Sequence, residues 1–383
     1  MSGLTTFGLT DEQKLMRASV LELLARVLPR ERIRELDRTG TFPFEAFDAL
    51  AQAGWMGLLY PEAYGGMAGS HTDLTVLIET LGYHFTGVAT AYLPTVVYGG
   101  MHVCLHGSEE LRREYLPRIA KGEIKMAFAL TEPGAGSDAA AVQTRARRDG
   151  DHYVLDGQKL YTTCAHVADY LVTVTKTNPD AGRRGMSVFL VDAHAPGLTI
   201  RPLETLGRRA THANEVFFEG VRVPASHLIG RENGGWGQLM KCLNLERLCL
   251  AAGGAGNCQR VIDYARDYAR ERVQFGQPIT KFQAIAHKFA DMQIMAETAR
   301  AMTYRVAAML DAGLDPAMET AIAKIAATEA NFRCADLGMQ VMGGAGYTME
   351  HDLQMFFRDS RINLIGGGSN EILRNVIARR MDL

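Results

Sequence analysis

The chain has 383 residues, of which 47% are hydrophobic and 22% charged, and its formal net charge at pH 7 is -2. A chain of this length exceeds the size of a single hydrophobic core, so we expect two or three cooperating domains. The near-neutral charge gives no electrostatic reason to expect nucleic acid or an anionic membrane as the main partner. The composition is that of an ordinary globular protein.

The six cysteines are scattered along the chain without a C-x-x-C pair. This spacing argues against a zinc site, and a disulfide framework is not expected at this size, so we predict no metal and buried thiols in a reducing compartment. No apolar run approaches the roughly 20 residues of a membrane span, and the first residues lack the pattern of a signal peptide. We therefore expect a soluble, cytoplasmic protein.

The first 122 residues have mostly helical patterns. Thr10 is followed by acidic residues, which is typical of a helix N-cap. Serine, glycine and the apolar periodicity predict helices at residues 10–29, 44–53, 73–83 and 108–120. Gly and Pro between residues 53 and 73 predict a loop.

Beyond residue 122 the pattern changes to the alternation of β-strands. Strands are predicted at residues 124–130, 142–147, 152–155, 159–163, 170–175, 186–191, 198–202 and 214–218. The pair Asp156-Gly157 predicts a hairpin turn between two of them, because glycine supplies a positive φ. Short strands without intervening helices predict an antiparallel barrel or sandwich.

Helical periodicity returns at residue 236 and continues to the end. Helices are predicted at residues 236–272, 282–311, 316–342, near 352 and at 370–380, with breaks rich in Gly or Pro. Long helices joined by short turns predict a bundle. We therefore divide the chain into a helical domain (1–122), a β-barrel domain (123–233) and a helical bundle (234–383).

Residues 126–138, MAFALTEPGAGSD, combine an apolar strand with a glycine-rich turn. The GAGSDA segment satisfies the G-x-G-x-x-[GA] dinucleotide pattern, but further strands follow, so the βαβ unit that gives this pattern its meaning is missing. One interpretation is a plain tight turn. The other is a ligand-binding wall, because successive N–H groups, a serine hydroxyl and glycines allow a ligand to approach the backbone closely.

Four motifs resemble those of the acyl-CoA dehydrogenases in that family's order and spacing: ALTEPGAGSD (129–138), RVQFGQPITKFQAI (272–285), QVMGGAGYT (340–348) and RDSRINLIGGGSNEI (358–372). The resemblance covers essentially the whole chain. It implies an α+β, mainly α fold with a helical N-terminal domain, a central antiparallel β domain and a C-terminal four-helix bundle. It also implies a non-covalent FAD, an acyl-CoA substrate, an electron-transfer flavoprotein as acceptor and a homotetramer built from dimers.

The resemblance assigns the flavin wall to residues 128–137. Leu130 and Thr131 would hydrogen-bond to the isoalloxazine ring, and Ser137 would reach both cofactor and CoA. Tyr161 stands where many members have a tryptophan stacked on the flavin, although by spacing alone it would be an ordinary cross-strand aromatic. The remaining cofactor contacts that the resemblance implies are Phe128, Gly136, Thr163, Ser369 and Glu371 and, from a neighbouring subunit, Arg272, Phe275, Gln283, Gln340, Gly343 and Gly344.

The usual position of the catalytic base is occupied by glycine in this chain. Many members carry a glutamate in the motif Tyr-Glu-Gly-Thr, which aligns with GGGS at residues 366–369, so that Gly367 takes its place. Glu246 offers a replacement, because it lies in an otherwise apolar or small helical stripe where burial raises the pKa of a carboxyl group toward that of a base. Isovaleryl- and long-chain-type members carry the base on this helix, in a sequence like the LER of residues 245–247.

Alternatives remain for these residues. By periodicity alone, Glu246 fits better as a structural glutamate paired by a salt bridge within the bundle, and it is the resemblance that favours it as the base. Glu371 is a weaker candidate for the base. Glu132 and Asp359 are expected to be structural. The resemblance places Asn244 and Arg247 at the substrate, with Arg247 on the CoA chain.

The reaction type has competing interpretations as well. A flavin-dependent oxidase or an acyl-carrier-protein-linked dehydrogenase could use the same fold. A catalytically silent helical scaffold is a third possibility, which the flavin motifs disfavour. Leu243 and Leu250, near the proposed base, would favour short or branched acyl groups, but the sequence leaves chain length and pathway, fatty acid or amino acid catabolism, open.

Overall fold

The computed structural model describes residues 3–5 and 8–383. A helical N-terminal region is followed by a β-sheet and then by a long helical C-terminal region. This arrangement confirms the predicted α+β, mainly α fold class. The domain boundaries themselves stay a prediction.

The N-terminal region contains seven α-helices, counted over the described residues: α1 Asp11–Val27, α2 Arg30–Thr39, α3 Phe44–Gln52, α4 His71–His84, α5 Thr86–Leu93, α6 Met101–His106 and α7 Glu109–Ala120. Thr10 caps α1 as predicted, forming a reciprocal capping box with Gln13. Ser70 and Ser108 cap α4 and α7. Helix α2 and the segment that contains α5 and α6 were not predicted.

Residues 86–106 form a nearly continuous helical segment, in which the π-helical stretch Pro94–Gly100 joins α5 to α6. Most of its side chains are buried on every side, so its apolar residues show no helical periodicity. By length and composition this segment could cross a membrane, which contradicts the expectation that no such segment exists. However, 78% of its most apolar window is buried inside the protein, as in the core helix of a soluble protein.

The middle of the chain forms an eight-stranded sheet. The strands are β1 Met126–Ala129, β2 Arg145–Asp149, β3 His152–Lys159, β4 Tyr170–Lys176, β5 Met186–Asp192, β6 Leu198–Pro202, β7 Asn214–Pro224 and β8 Leu228–Ile229. Their order in the sheet is β6-β7-β3-β2-β4-β5-β8, and β1 pairs with β4 outside this order. Most pairings are antiparallel as predicted, but β1 and β2 each pair with β4 in parallel.

The predicted hairpin turn at Asp156-Gly157 is wrong. β3 continues through both residues and pairs with β7, with a shift in register between Leu155 and Gly157. Gly157 has a φ of +148°, and a Cβ atom there would lie 2.7 Å from the Cα atom of Thr144. The glycine therefore permits a close approach between backbones at an irregularity in the strand.

The C-terminal region consists of α8 Gly235–Glu271, the hairpin β9 Val273–Gln274 and β10 Gln277–Pro278, and α9 Gln283–Asp311, α10 Ala317–Met342, α11 Gly344–Tyr347, α12 Leu353–Arg361 and α13 Asn370–Arg380. The long helices agree with the prediction to within one or two residues at each end. The small hairpin and α11, at two of the predicted breaks, were not predicted.

Helix α8 holds the molecule together, because it packs against α9 and α10 in the bundle and also against α4 of the N-terminal region. Glycines make the second contact close: a Cβ atom on Gly256 would lie 2.0 Å from the carbonyl oxygen of Glu79, and one on Gly82 would lie 2.5 Å from that of Gly253. The carboxylate of Glu79 is buried and forms ion pairs with Arg17 (2.5 Å) and Arg300 (2.6 Å).

Candidate active site

Glu246 lies near the middle of the N-terminal half of α8. It belongs to the helical face that the sequence pattern predicts to be otherwise apolar or small. Its side chain is half-buried, and no hydrogen bond to its carboxylate comes from the residues that the structure describes. Burial raises the pKa of Glu246 to about 7, while the positive charges of Arg247 and Lys324 act in the opposite direction. A carboxyl group with this pKa can accept a proton near neutral pH.

Gly367 faces the same point in space as Glu246. A Cβ atom built on Gly367 would lie 3.6 Å from the Oε1 atom of Glu246 and 2.5 Å from the Cδ1 atom of Leu250. The φ of Gly367 is +68°, which disfavours any residue with a side chain. The two positions that could carry the base therefore converge, although they are far apart in sequence, and Leu250 fills the room that a side chain at 367 would need.

The loop that carries Gly367 is held in place by two buried cations. The Nε atom of Arg247 donates to the carbonyl oxygen of Gly367 at 3.0 Å, and its Nη1 atom donates to Asn244 at 3.1 Å. The Nζ atom of Lys324 donates to the carbonyl oxygen of Gly368 at 3.0 Å, and burial lowers the pKa of Lys324 to about 8. Both side chains thus fix the loop and place positive charge beside the proposed base.

The two other predicted residues of this loop are placed differently. The hydroxyl of Ser369 accepts from the backbone N–H of Ile372 at 3.3 Å and so caps α13, and Glu371 is exposed in the first turn of that helix. Ser369 therefore stabilises the start of α13. The predicted cofactor contacts of Ser369 and Glu371 stay predictions.

A small cavity of about 20 Å³ lies next to Glu246, between α8 and the helices α4 and α5. Cys249 and Leu250 link it to the proposed base, since they lie on the following turn of α8. Most of the other residues that line the cavity are small or apolar, and four of them are polar or charged. They are Ile78, Gly82, Ala89, Leu93, Gly253 and Gly254, and the polar or charged residues Thr86, Thr90, Arg208 and Asn363. Sequence reasoning missed Arg208, because it lies in the loop between β6 and β7, about forty residues before Glu246.

Tyr98, in the π-helical stretch, is a second residue that sequence reasoning missed. Burial raises the pKa of its hydroxyl, and Glu246 raises it further, whereas Arg208 lowers it. Tyr98 therefore lies within electrostatic reach of both the proposed base and Arg208. A π-helical stretch is common at functional sites and could have marked this segment, but its apolar sequence carries no such signal.

The glycine-rich turn that follows β1 forms a wall beside the loop of Tyr161. The backbone N–H of Leu160 donates to the carbonyl oxygen of Thr131 at 2.8 Å, which joins the two segments. Cβ atoms built on Gly134 or Gly136 would meet no atom within 4 Å, so this side of the turn is open. Tyr161 is 61% exposed, and its φ is +58°. The predicted wall residues Leu130, Ser137 and Thr163 lie on the same two segments.

Glu132 has a structural position within this wall, as expected. Its carboxylate forms a buried ion pair with Lys159 at 2.7 Å and accepts the backbone N–H groups of Gln143 (2.6 Å) and Thr144 (2.9 Å). On the strand before the turn, the Phe128 ring stacks on the His102 ring, with centroids 5.1 Å apart. Both contacts fix the shape of the wall before any ligand binds.

A second, larger site lies at the far end of α8. It is a cleft of about 600 Å³ between the hairpin β9–β10 and the end of α10, and its lining includes the predicted cofactor residues Arg272, Phe275, Gly343 and Gly344. Gln283 begins α9 next to the cleft and Gln340 lies one turn before Gly344, but neither side chain lines it. No residue of 128–163 lines this cleft, so the described chain does not bring the two parts of the predicted cofactor site together.

Three protein-family models match successive parts of the chain. They describe the acyl-CoA dehydrogenase N-terminal domain (residues 10–123), middle domain (127–221) and C-terminal domain (233–382). The chain belongs to the acyl-CoA dehydrogenase family. It is an oxidoreductase of this family by the same comparison.

Individual relatives of the family cover nearly the whole chain. A probable acyl-CoA dehydrogenase YngJ of Bacillus subtilis is 36% identical over 98% of this chain and 99% of its own length. The CarC subunit of the caffeyl-CoA reductase–Etf complex of Acetobacterium woodii is 35% identical over 96% of this chain and 98% of its own. The solved structure of PigA with FAD and proline has a TM-score of 0.94 at 27% identity, covering 99% and 100% of the two chains.

The residues of this acyl-CoA dehydrogenase family member fit a flavin dinucleotide in chemical type. The open glycine turn and the exposed ring of Tyr161 offer N–H donors and an aromatic surface for the ring system. Arg272 and the glycines at 343 and 344 offer a guanidinium and accessible backbone to a pyrophosphate. Phe275, which is 93% exposed, offers an apolar surface.

Proposed function

We propose that this chain catalyses the FAD-dependent α,β-dehydrogenation of an acyl-CoA thioester to the trans-2-enoyl-CoA. The observation that carries this proposal is the position of the Glu246 carboxylate. It lies beside Gly367, where many family members carry the catalytic glutamate, and burial raises its pKa to about 7. A carboxylate at that place is what removal of an α proton requires.

The residues of the chain divide the work as follows. Glu246 accepts the α proton, and the acyl chain would extend from it toward the cavity bordered by Cys249 and Leu250. Arg247 and Lys324 hold the loop of Gly367 and keep the ionised form of Glu246 accessible near neutral pH. FAD, when bound, supplies the acceptor for the β hydrogen as hydride. The wall formed by residues 130–137 and 160–163 would orient the flavin ring.

We further propose that one chain completes the cofactor site of another. The cleft with Arg272, Phe275, Gly343 and Gly344 is separate from the flavin wall, and Phe275 is almost fully exposed. Phe275 and Arg272 line the same concave cleft, so together they offer an aromatic surface and a guanidinium to a ligand held there. A homotetramer built from dimers, as the family resemblance implies, would bring the cleft of one subunit to the flavin wall of its neighbour.

The electron acceptor is the next part of the proposal. An electron-transfer flavoprotein is supported by the name of the Acetobacterium woodii relative, which is a subunit of a reductase–Etf complex. An oxidase or an acyl-carrier-protein-linked enzyme of the same fold is the alternative, since the solved relative PigA holds proline rather than a named acyl-CoA. A cytoplasmic location stays a prediction.

Anaerobic titration of the flavin-loaded enzyme with acyl-CoA thioesters tests the reaction. The expected result is bleaching of the flavin absorbance with formation of the enoyl-CoA. Absence of bleaching by any acyl-CoA would refute the proposal. Reduced enzyme that is reoxidised slowly by air but rapidly by an electron-transfer flavoprotein supports the dehydrogenase, whereas rapid reoxidation by air supports the oxidase.

A further inference from the structure

The cavity beside Glu246 contains a guanidinium group. Arg208 lines the cavity together with Thr86, Thr90 and Asn363, so one end of an otherwise small and apolar space is polar. Cys249 and Gly253 place this cavity one to two helical turns beyond Glu246, or roughly 5 to 10 Å along the axis of α8. An acyl chain that extends from Glu246 along α8 would bring its far end to this polar group.

The hydrogen bonds of Arg208 leave part of its guanidinium free. Its Nε atom donates to the carbonyl oxygen of Asp359 (3.3 Å), Nη1 to that of Thr86 (3.4 Å) and Nη2 to the Oδ1 atom of Asn363 (2.8 Å). A guanidinium has five N–H groups, so one on each Nη atom has no partner among the residues that the structure describes. Two unpartnered N–H groups on neighbouring nitrogens are the number that a carboxylate can bind with its two oxygens.

The carboxylate of Asp359, which lies close to Arg208, does not accept a hydrogen bond from these two N–H groups. Its Oδ1 atom accepts the backbone N–H of Arg208 at 2.6 Å, and its Oδ2 atom accepts the hydroxyl of Thr86 at 2.8 Å. Within the described part of the chain, no carboxylate forms an ion pair with the Arg208 guanidinium at 4.0 Å or less. Burial lowers the pKa of Arg208, but arginine stays charged in proteins.

The unpartnered N–H groups of Arg208 favour a charged ligand over an apolar one. The negative charge of Asp359 acts on Arg208, but its carboxylate accepts the backbone N–H of Arg208 and not a guanidinium N–H. A bound carboxylate would pair with the guanidinium directly. A methyl group against Arg208 would instead remove two N–H groups from water without a partner, which is unfavourable.

We propose that Arg208 forms the end of the acyl pocket and selects acyl groups whose far end carries a carboxylate. This inference rests on the proposed dehydrogenation, with Glu246 as the base, and adds the substrate class: a dicarboxylic acid joined to the thiol carrier through one of its ends. The hydroxyl of Tyr98 lies within electrostatic reach of both Glu246 and Arg208.

The test compares thioesters of equal chain length with and without the terminal carboxylate. Glutaryl-, adipyl- and suberyl-CoA are titrated against pentanoyl-, hexanoyl- and octanoyl-CoA, and the rate of anaerobic flavin bleaching gives kcat/KM for each. We expect at least one carboxylate-bearing thioester to exceed its plain counterpart by about tenfold or more, which is the effect of a charge-assisted hydrogen bond. If every plain thioester is preferred, the inference is overturned and the proposed dehydrogenation stands.

Variants separate recognition from folding. Arg208→Met should reverse the preference, by losing about tenfold or more on the carboxylate-bearing thioester and little on the plain one, and Arg208→Lys should restore part of it. Arg209→Met is the matched control, because it removes a neighbouring arginine that does not line the cavity. Dissociation constants measured in the Glu246→Gln variant give the same comparison without turnover. Equal losses on both thioesters in Arg208→Met would show that the arginine is only structural and would overturn the inference.

If no thioester of either kind bleaches the flavin, the proposed function fails and this inference fails with it. If the flavin is bleached, but carboxylate-bearing thioesters bleach it at the same rate in the wild type and in Arg208→Met, only the role of Arg208 is refuted. The two failures are therefore distinguished by whether any thioester bleaches the flavin.

Discussion

Replacing Glu246 by glutamine should remove activity and, at the same time, stabilise the folded protein above neutral pH. Glutamine keeps the shape of the side chain but cannot accept the α proton. Loss of a general base costs about 10²- to 10⁴-fold in rate. We therefore expect the variant to bind FAD and acyl-CoA but to bleach at a rate lower by at least about 10²-fold.

The stability effect follows from the same burial. A rise in pKa from 4.5 to about 7 corresponds to about 3 kcal/mol of destabilisation of the folded state once the carboxyl group is ionised in both states. Because the side chain is only half-buried, we expect a destabilisation of the folded state of about 1 to 2 kcal/mol. Below pH 4.5 the carboxyl group is protonated in both states, and the penalty grows as pH rises to about 7.

Two measurements check this prediction. Stopped-flow bleaching should show kcat/KM of the wild type rising through about pH 7, with no such rise in the variant. The free energy of unfolding, measured from pH 4 to pH 8, should favour the variant increasingly as pH rises. Glu22→Gln is the matched control, since Glu22 is exposed on α1 and far in sequence from the predicted site residues, and should change neither quantity. Normal bleaching by Glu246→Gln would refute the assignment of the base.

Three further variants test other parts of the structure. Phe275→Ala should weaken FAD binding about tenfold or more by removing an exposed ring, with little change in the unfolding of the apoprotein; the ratio of flavin to protein absorbance measures it. Lys159→Met should lower the free energy of unfolding by about 3 to 5 kcal/mol, because Glu132 is left buried without its cation; a loss below about 1 kcal/mol would contradict this. Lys324→Met should shift the rise of kcat/KM to higher pH, since a positive charge that lowers the pKa of Glu246 is removed; an unchanged profile would contradict it.

Exposed residues of the same type are controls for these variants. Tyr347→Ala, an aromatic that is 83% exposed and does not line the cleft, should leave FAD binding unchanged if Phe275 acts specifically. Lys121→Met, on the surface, should leave the free energy of unfolding within about 0.5 kcal/mol.

Local signals in the sequence were sufficient for much of the fold. Thr10 and Ser108 cap helices because their hydroxyls can accept a backbone N–H three residues later, which needs no tertiary contact. The long C-terminal helices follow from periodicity and from glycines at their ends. Segments buried on every side, such as residues 86–106, have no periodicity and could not be found this way.

One local signal was overridden by long-range pairing. Asp156-Gly157 has the composition of a hairpin turn, but pairing of the whole of β3 with β7 satisfies more backbone groups than a turn would. The glycine is needed there for contact with Thr144, a reason that no local pattern contains.

The sequence by itself determined the family motifs, the helical stripe of Glu246 and the absence of a carboxylate at position 367. Only the tertiary structure decided that these last two positions face one another: a Cβ atom on Gly367 would lie 3.6 Å from the Oε1 atom of Glu246. It also decided that Arg208 lines the cavity beside them. Periodicity assigns a residue to a face of its own helix, whereas the partner of that face depends on how distant segments pack. The base could therefore be inferred from its own helix, and the residue at the far end of the pocket could not.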